Sequence, residues 1–214
     1  FMLLGLGANI YVINISATIP YQLLDLASFK CDNHFVDYIY STALKTGIQV
    51  GRASAGGQIH NCQFNPSSYT FCSGIYASIP PNTFSGVHQY LWDHARPYVL
   101  GNMTGEVLHQ NFVFGGYYGV HLLEEDGSGP SGYCLGMGAD QSTTALRIDA
   151  VGSAGLDMIN TQIVTVDSVK GRYIETGNSF AGTCKLFNTA CWGIPERSVV
   201  VNGGRIELQL FNNV

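Results

Sequence analysis

The sequence predicts an all-β fold, a right-handed parallel β-helix with inserted loops. Three observations predict it. Short apolar strand patterns fill the chain, separated by turn chemistry such as Pro80-Pro81-Asn82 and the stretch EEDGSGPSG at 124–132. Strong helical periodicity is nearly absent. One segment repeats: SAGGQIHNCQF (54–64) and SAGLDMINTQI (153–163) share Ser-Ala-Gly, an apolar position, then Asn, a gap, Gln and a final apolar residue. The alternative, a β-sandwich, also shows short strands at about 8–12-residue spacing, but it has no need for such an echo.

Taken in order, FMLLGLGANIYVINI (1–15) is strand-like from its start. YQLLDLASF (21–29) is the best helix candidate and reads equally as a strand and corner. TGIQVG (46–51) is a strand just before the first strong copy, as ALRIDAV (145–151) is before the second. GIYAS (74–78), YVLGN (98–102), YGVHLLE (118–124) and YCLGMG (133–138) are further strands between the copies. HQYLWDHARPYVL (88–100) interrupts the strand pattern and reads as an inserted loop. TGEVLHQNFVF (104–114) is a looser copy with Asn111 near the matching place, and SVVVNGGRIEL (198–208) a weak one with Asn202. The unit is a strand, a small-residue turn, a strand carrying Asn, and another strand. In stacked coils, an Asn at one sharp turn can satisfy backbone groups that would otherwise lack partners, which explains why it recurs.

The chain has 214 residues, enough for one domain spanning 1–214 with a real core. Charged residues are only 12%, about half the usual ~25%. The polar surface must therefore consist of amides and hydroxyls, which suits an uncharged polymer such as a glycan as substrate. A formal charge of −5 and the lack of a basic run argue against nucleic acid. No apolar run is long enough to span a bilayer, so no membrane partner is expected. Phe1 precedes Met2, no signal peptide is legible, and RIELQLFNNV (205–214) reads as an unfinished strand. The expectation is a piece of a longer chain, with flanking domains or a homo-oligomer covering the end coils.

Six cysteines occur, with no CxxC and no paired Cys/His zinc spacing, so no metal and no cofactor is expected. Cys184 and Cys191 are near enough in sequence to close a short loop if geometry allows. Few lysines and disulfide-capable cysteines point to an extracellular or cell-surface setting, whereas the sequons at Asn14 and Asn102 are too common by chance to prove secretion.

The carriers Ile59-His60-Asn61-Cys62-Gln63-Phe64, Gly119-Val120-His121-Leu122 and Met158-Ile159-Asn160 resemble the rungs of parallel β-helix proteins of the pectin-lyase-like superfamily. The resemblance covers most of the chain as architecture. It implies activity on polysaccharides: hydrolases, lyases and intramolecular transferases share the scaffold, as do tailspikes and adhesins. The Asn-Thr-Asp, Gly-His-Gly and Arg-x-Lys signatures of polygalacturonases and the calcium-binding Asp cluster of pectate lyases are not found in this sequence.

Strand alternation then assigns faces. Arg147 and Asp149 point outward from ALRIDAV, Asp157 from GLDMIN, and His121 from GVHLLE. Neighbouring rungs or alternate positions supply the carboxyl separations that glycoside hydrolysis needs, roughly 5 Å for retention and about 6.5–9.5 Å for inversion. The candidate catalytic acids are Glu124, Glu125, Asp126, Asp149 and Asp157. Trp92, His94, Arg96, Tyr117, Tyr118, His121 and Arg147 are candidates for holding sugar through ring faces and polar tips. The plain alternatives are a solvated turn for 124–126 and a hydrophobic cap for the Trp92 segment. A glycoside hydrolase is the leading expectation. A lyase or transferase, and a glycan-binding structural β-helix, are the competing ones.

Overall fold

Every ladder between named strands is parallel in the computed structural model, which describes residues 3–68, 83–178, 180–202 and 205–211. The chain winds a parallel β-helix of about seven turns, which excludes the sandwich. The predicted unit of three strands becomes three faces. The first face stacks β1 (Leu3–Leu4), β3 (Gln22–Leu26), β5 (Thr46–Val50), β9 (Arg96–Leu100), the end of β11 (Phe112–Leu122), the end of β13 (Gly138–Ile148), β16 (Arg172–Thr176) and β19 (Arg197–Val200). The second stacks β2 (Tyr11–Ala17), β4 (Phe35–Ser41), β7 (Gln58–His60), β10 (Met103–His109), β12 (Pro130–Leu135), β14 (Leu156–Ile159), β17 (Ala181–Phe187) and β20 (Arg205–Phe211). The third uses the far ends of β2 and β4, then β8 (Gln63–Phe64), the starts of β11 and β13, β15 (Gln162–Thr165) and β18 (Ala190–Gly193). The short β6 (Ser54–Ala55) pairs with β10 at the corner between the first two faces.

Alternation fixes the core. Leu24, Ile48, Tyr98, Val120, Leu146 and Ile174 lie in register on the first face and are all buried. Burying each aliphatic side chain stabilises the fold by about 1.5–3 kcal/mol. Tyr98 fits because its hydroxyl donates to the Cys62 carbonyl at 2.7 Å. The candidate helix 21–29 is strand β3 and a corner. There Asp25 Oδ1 accepts from the N–H groups of Ala27 and Ser28, at 2.9 and 2.8 Å, and turns the chain.

The recurring Asn marks the corner between the second and third faces. Asn14, Tyr38, Asn61, Gln110, Gly136, Asn160 and Asn188 occupy equivalent places, all with positive φ. The chain turns there through the left-handed region, which Asn and Gly enter at low cost. The looser copy is therefore offset by one: Gln110, not Asn111, matches Asn61. Asn111 faces inward, is 2% exposed, and satisfies backbone groups one coil away. Its Oδ1 accepts from Cys62 N–H at 2.9 Å, and its Nδ2 donates to the Ile59 carbonyl at 2.8 Å. Asn202 belongs to a different corner, after β19, where it donates to the Thr176 carbonyl at 2.8 Å.

Two expectations are corrected. The segment 88–100 is not a loop: it comprises the end of helix α1 (Thr83–His94) and strand β9. His88, Leu91 and Trp92 fall on one face of the helix, which packs on β11 and β13. Trp92 Nε1 donates to the Gln141 carbonyl, Thr143 Oγ1 donates to the Trp92 carbonyl at 2.9 Å, and the His88 ring stacks on Phe114. Cys184 and Cys191 form no bridge. Together with Cys31, Cys62 and Cys134 they are free thiols, four of them buried as small apolar groups. GIYAS (74–78) and Cys72 lie outside the described residues.

Candidate functional site

The outward row of the first face runs Gln49, Val99, His121, Arg147, Glu175 on successive rungs. Parallel stacking sets such neighbours about 4.8 Å apart. A chain of charge-assisted hydrogen bonds forms along it. His121 Nε2 meets Asp149 Oδ2 at 2.6 Å. Arg147 Nε donates to Asp149 Oδ1 at 2.7 Å, and its Nη1 to Glu175 Oε1 at 2.7 Å. Arg172 Nη1 donates to Glu175 Oε2 at 3.1 Å. One guanidinium thus bridges two carboxylates from adjacent coils, a geometry that Arg's planar fork favours.

Aromatic groups border this row. The Tyr118 ring lies between the guanidiniums of Arg96 and Arg147, 5.2 and 5.6 Å from its centroid. It also meets His121 edge-on, and Tyr117 lies against it. Beside the row opens a cavity of about 260 Å³, lined by Leu123, Glu124, Arg147, Asp149, Gly177 and Asn178. Gly177 follows strand β16 just as Asp149 follows β13. A Cβ at Gly177 would fall 2.8 Å from Asp149 Oδ1, so the missing side chain keeps that carboxylate open.

Burial alone would raise the Asp149 pKa. The hydrogen bonds and positive charge of His121 and Arg147 outweigh it and hold the carboxyl below its ordinary value. For Arg147 burial works against the charge, but Asp149, Tyr118 and Glu175 outweigh it and raise the pKa further. Burial, followed by Tyr117, pushes the Tyr118 phenol up to about 12, so it remains protonated at neutral pH. The arrangement is an anionic carboxylate, fixed in place, at the edge of an open recess.

The candidates read from sequence separate clearly. Glu124, Asp149 and Arg147 line one cavity, with His121, Tyr117, Tyr118 and Arg96 close by. His121 belongs to the outward row, yet Asp149 and Tyr118 cover it to 2% exposure. Glu124 also accepts from Gly127 N–H at 2.6 Å. Glu125 instead holds the frame: its Oε2 accepts from the N–H groups of Arg52 and Asn102 at 2.8 and 3.0 Å, above Gly51 and Gly101. Asp126 is an exposed turn residue with positive φ. Asp157 is on the second face, beside Lys185 at 3.9 Å, away from the Asp149 row. Trp92 and His94 belong to α1.

Sequence reasoning passed over Glu175. The available signal was its place in the strand RYIET, alternating like Arg147 in ALRIDAV. Pairing the two required the coil length, which varies here between separations such as 23 and 28 residues, and reaches 49 where α1 is inserted.

Comparison of the chain with protein-family models, with curated proteins and with solved structures gave no match.

Proposed function

We propose that this β-helix acts on glycans in the manner of the pectin-lyase-like superfamily, and that it hydrolyses a glycosidic bond at the first-face cavity. The observation that supports this reading is a pair of carboxylates, Glu124 and Asp149, lining one recess, with Asp149 held ionised by His121 and Arg147. In this role Glu124 protonates the glycosidic oxygen as the bond to the anomeric carbon breaks. Asp149 takes a proton from the attacking water, or attacks the carbon itself, depending on the separation in the bound complex. Tyr117 offers its ring to the sugar, backed by Tyr118, whose own ring is flanked by Arg96 and Arg147. An extracellular or cell-surface setting goes with this reading.

A lyase ranks second, because Arg147 and Arg172 are already neutralised by Asp149 and Glu175. A binding-only β-helix is favoured by one observation: both Asp149 oxygens already accept a hydrogen bond. A carboxylate still has acceptor capacity beyond two bonds, so the base role stays open to it. The test is release of reducing ends from a panel of neutral and uronate polysaccharides. Hydrolysis without an unsaturated chromophore, reduced at least ~100-fold in Asp149→Asn and in Glu124→Gln, is expected. A new chromophore would establish the lyase. Binding without any product would establish the third reading.

A further inference from the structure

The corner between the second and third faces carries a gap in its side-chain rows. At the turn position, Gln110, Gly136 and Asn160 follow one another on successive coils; two residues on, the row is Phe112, Gly138 and Gln162. One coil therefore contributes two glycines where its neighbours contribute side chains, and Met137 between them points inward at 2% exposure. The flanking rungs stand about 10 Å apart, twice the strand spacing. The notch so formed has a volume of about 260 Å³.

Its chemistry is narrow. No charged side chain lines it. Four amide residues line it; the Asn111 amide is engaged inward, which leaves those of Gln110, Asn160 and Gln162. Among the described residues, neither Gln110 nor Gln162 has a hydrogen bond to its side-chain amide. Asn160 Oδ1 accepts from Asn188 Nδ2 at 2.8 Å, which leaves its own NH₂ as a donor. The Phe112 ring leans over Gly138, where a Cβ would fall 2.5 Å from the ring. The result is an apolar ring beside uncharged groups that both donate and accept.

We propose that this notch binds one pyranose ring of a neutral saccharide, at a site separate from the first-face cavity. Amides match the mixed donor and acceptor character of adjacent hydroxyls. The phenyl ring takes the C–H face of the sugar. An anion or cation would meet no counter-charge. The volume is just below the roughly 300–1,000 Å³ of pockets for drug-sized ligands, which suits a single ring of an otherwise exposed chain. The site needs no turnover at Asp149 and stands whether or not the first face is catalytic.

The test is saturation-transfer NMR and calorimetry with malto-, cello-, laminari- and mannohexaose on four proteins: wild type, Gly136→Asn, Gln110→Ala/Gln162→Ala, and Asp149→Asn. Gly136→Asn continues the row of Asn residues. The new Cβ has room, with Gln110 Cγ 3.8 Å away, and Asn tolerates the local φ of +71° as it does at Asn160. The fold should therefore survive while the notch is filled. At least one hexaose is expected to bind wild type, and to bind Gly136→Asn and Gln110→Ala/Gln162→Ala about tenfold or more weakly; in Asp149→Asn a loss reports binding at the first face instead. Two results would overturn the proposal: no hexaose bound by wild type at about 10 mM, or binding unchanged in Gly136→Asn.

Discussion

His34 and Glu106 meet at 2.8 Å with neither side chain exposed, whereas His121 and Asp149 meet at 2.6 Å with the carboxylate side chain 21% exposed. Both are histidine–carboxylate pairs between coils, yet they are built differently. His34, Gly57 and Glu106 hold the same place on three successive coils. The missing side chain of Gly57 is the slot through which the outer two touch: a Cβ there would lie 2.0 Å from the His34 ring and 2.4 Å from Glu106 Oε2. His34 Nδ1–H donates to the Cys31 carbonyl at 2.8 Å, so a further proton must lie between Nε2 and Glu106. Glu106 Oε2 is buried without a partner in the described structure. At His121, Nε2 meets one Asp149 oxygen, and the other Asp149 oxygen accepts from Arg147 beside the cavity. The closed pair clips coils together; the open pair presents a charge. Position relative to solvent, more than residue type, separates structure from candidate chemistry.

The largest effects are expected at the closed pair. Glu106→Ala leaves His34 buried without its partner and should cost about 3–5 kcal/mol in urea unfolding. Gly57→Ala should destabilise on the same scale, because the collision is with two groups that have nowhere to move. A loss below about 1 kcal/mol in both would mean that the pair does not hold the coils.

The two pairs also differ in the sign of their pH dependence. Burial lowers the His34 pKa, but the hydrogen bond and charge of Glu106 outweigh it, aided by the Cys31 carbonyl and Asp32, so the folded value is raised. Its stabilisation is complete below the unfolded histidine value of about 6.5 and is lost as pH rises through the raised value. Asp149 behaves oppositely. Its folded pKa is lowered, so its contribution is present above about 3.9 and lost as pH falls through the lowered value. Urea midpoints across pH should fall on the alkaline side in wild type, and that fall should vanish in Glu106→Gln.

Smaller effects follow at exposed positions. Asp149→Asn removes a charge from a partly open network and should cost about 1–2 kcal/mol. Lys185→Ala breaks a 3.9 Å surface contact with Asp157 and should change stability by less than about 0.5 kcal/mol. A larger loss at Lys185 than at Asp149 would invert the ranking.

How far the sequence revealed all this depends on the physical range of each signal. Alternation within one strand is local, so the strands at 46–50, 98–100, 118–122 and 145–148 were legible, as were the facings of Arg147, Asp149 and Asp157. The turn row was half legible. It demands a conformation rather than a side chain, so Asn61 and Asn160 revealed it while Tyr38, Gln110 and Gly136 concealed it. Contacts between coils were not legible. Gly57 between His34 and Glu106, and Glu175 against Arg147, depend on register across coils of unequal length, separated by 72 and 28 residues. Helix α1 was missed because its apolar face, His88, Leu91 and Trp92, is short and sits among strand-like neighbours.

The most direct measurement is turnover and unfolding measured together on Glu106→Gln and Asp149→Asn, with the best substrate of the polysaccharide panel. A crossed result is expected. Glu106→Gln loses several degrees of Tm and keeps its turnover while folded, whereas Asp149→Asn keeps most of its Tm and loses at least ~100-fold in turnover. Equal turnover in the two variants would mean that the open pair is no more chemical than the closed one.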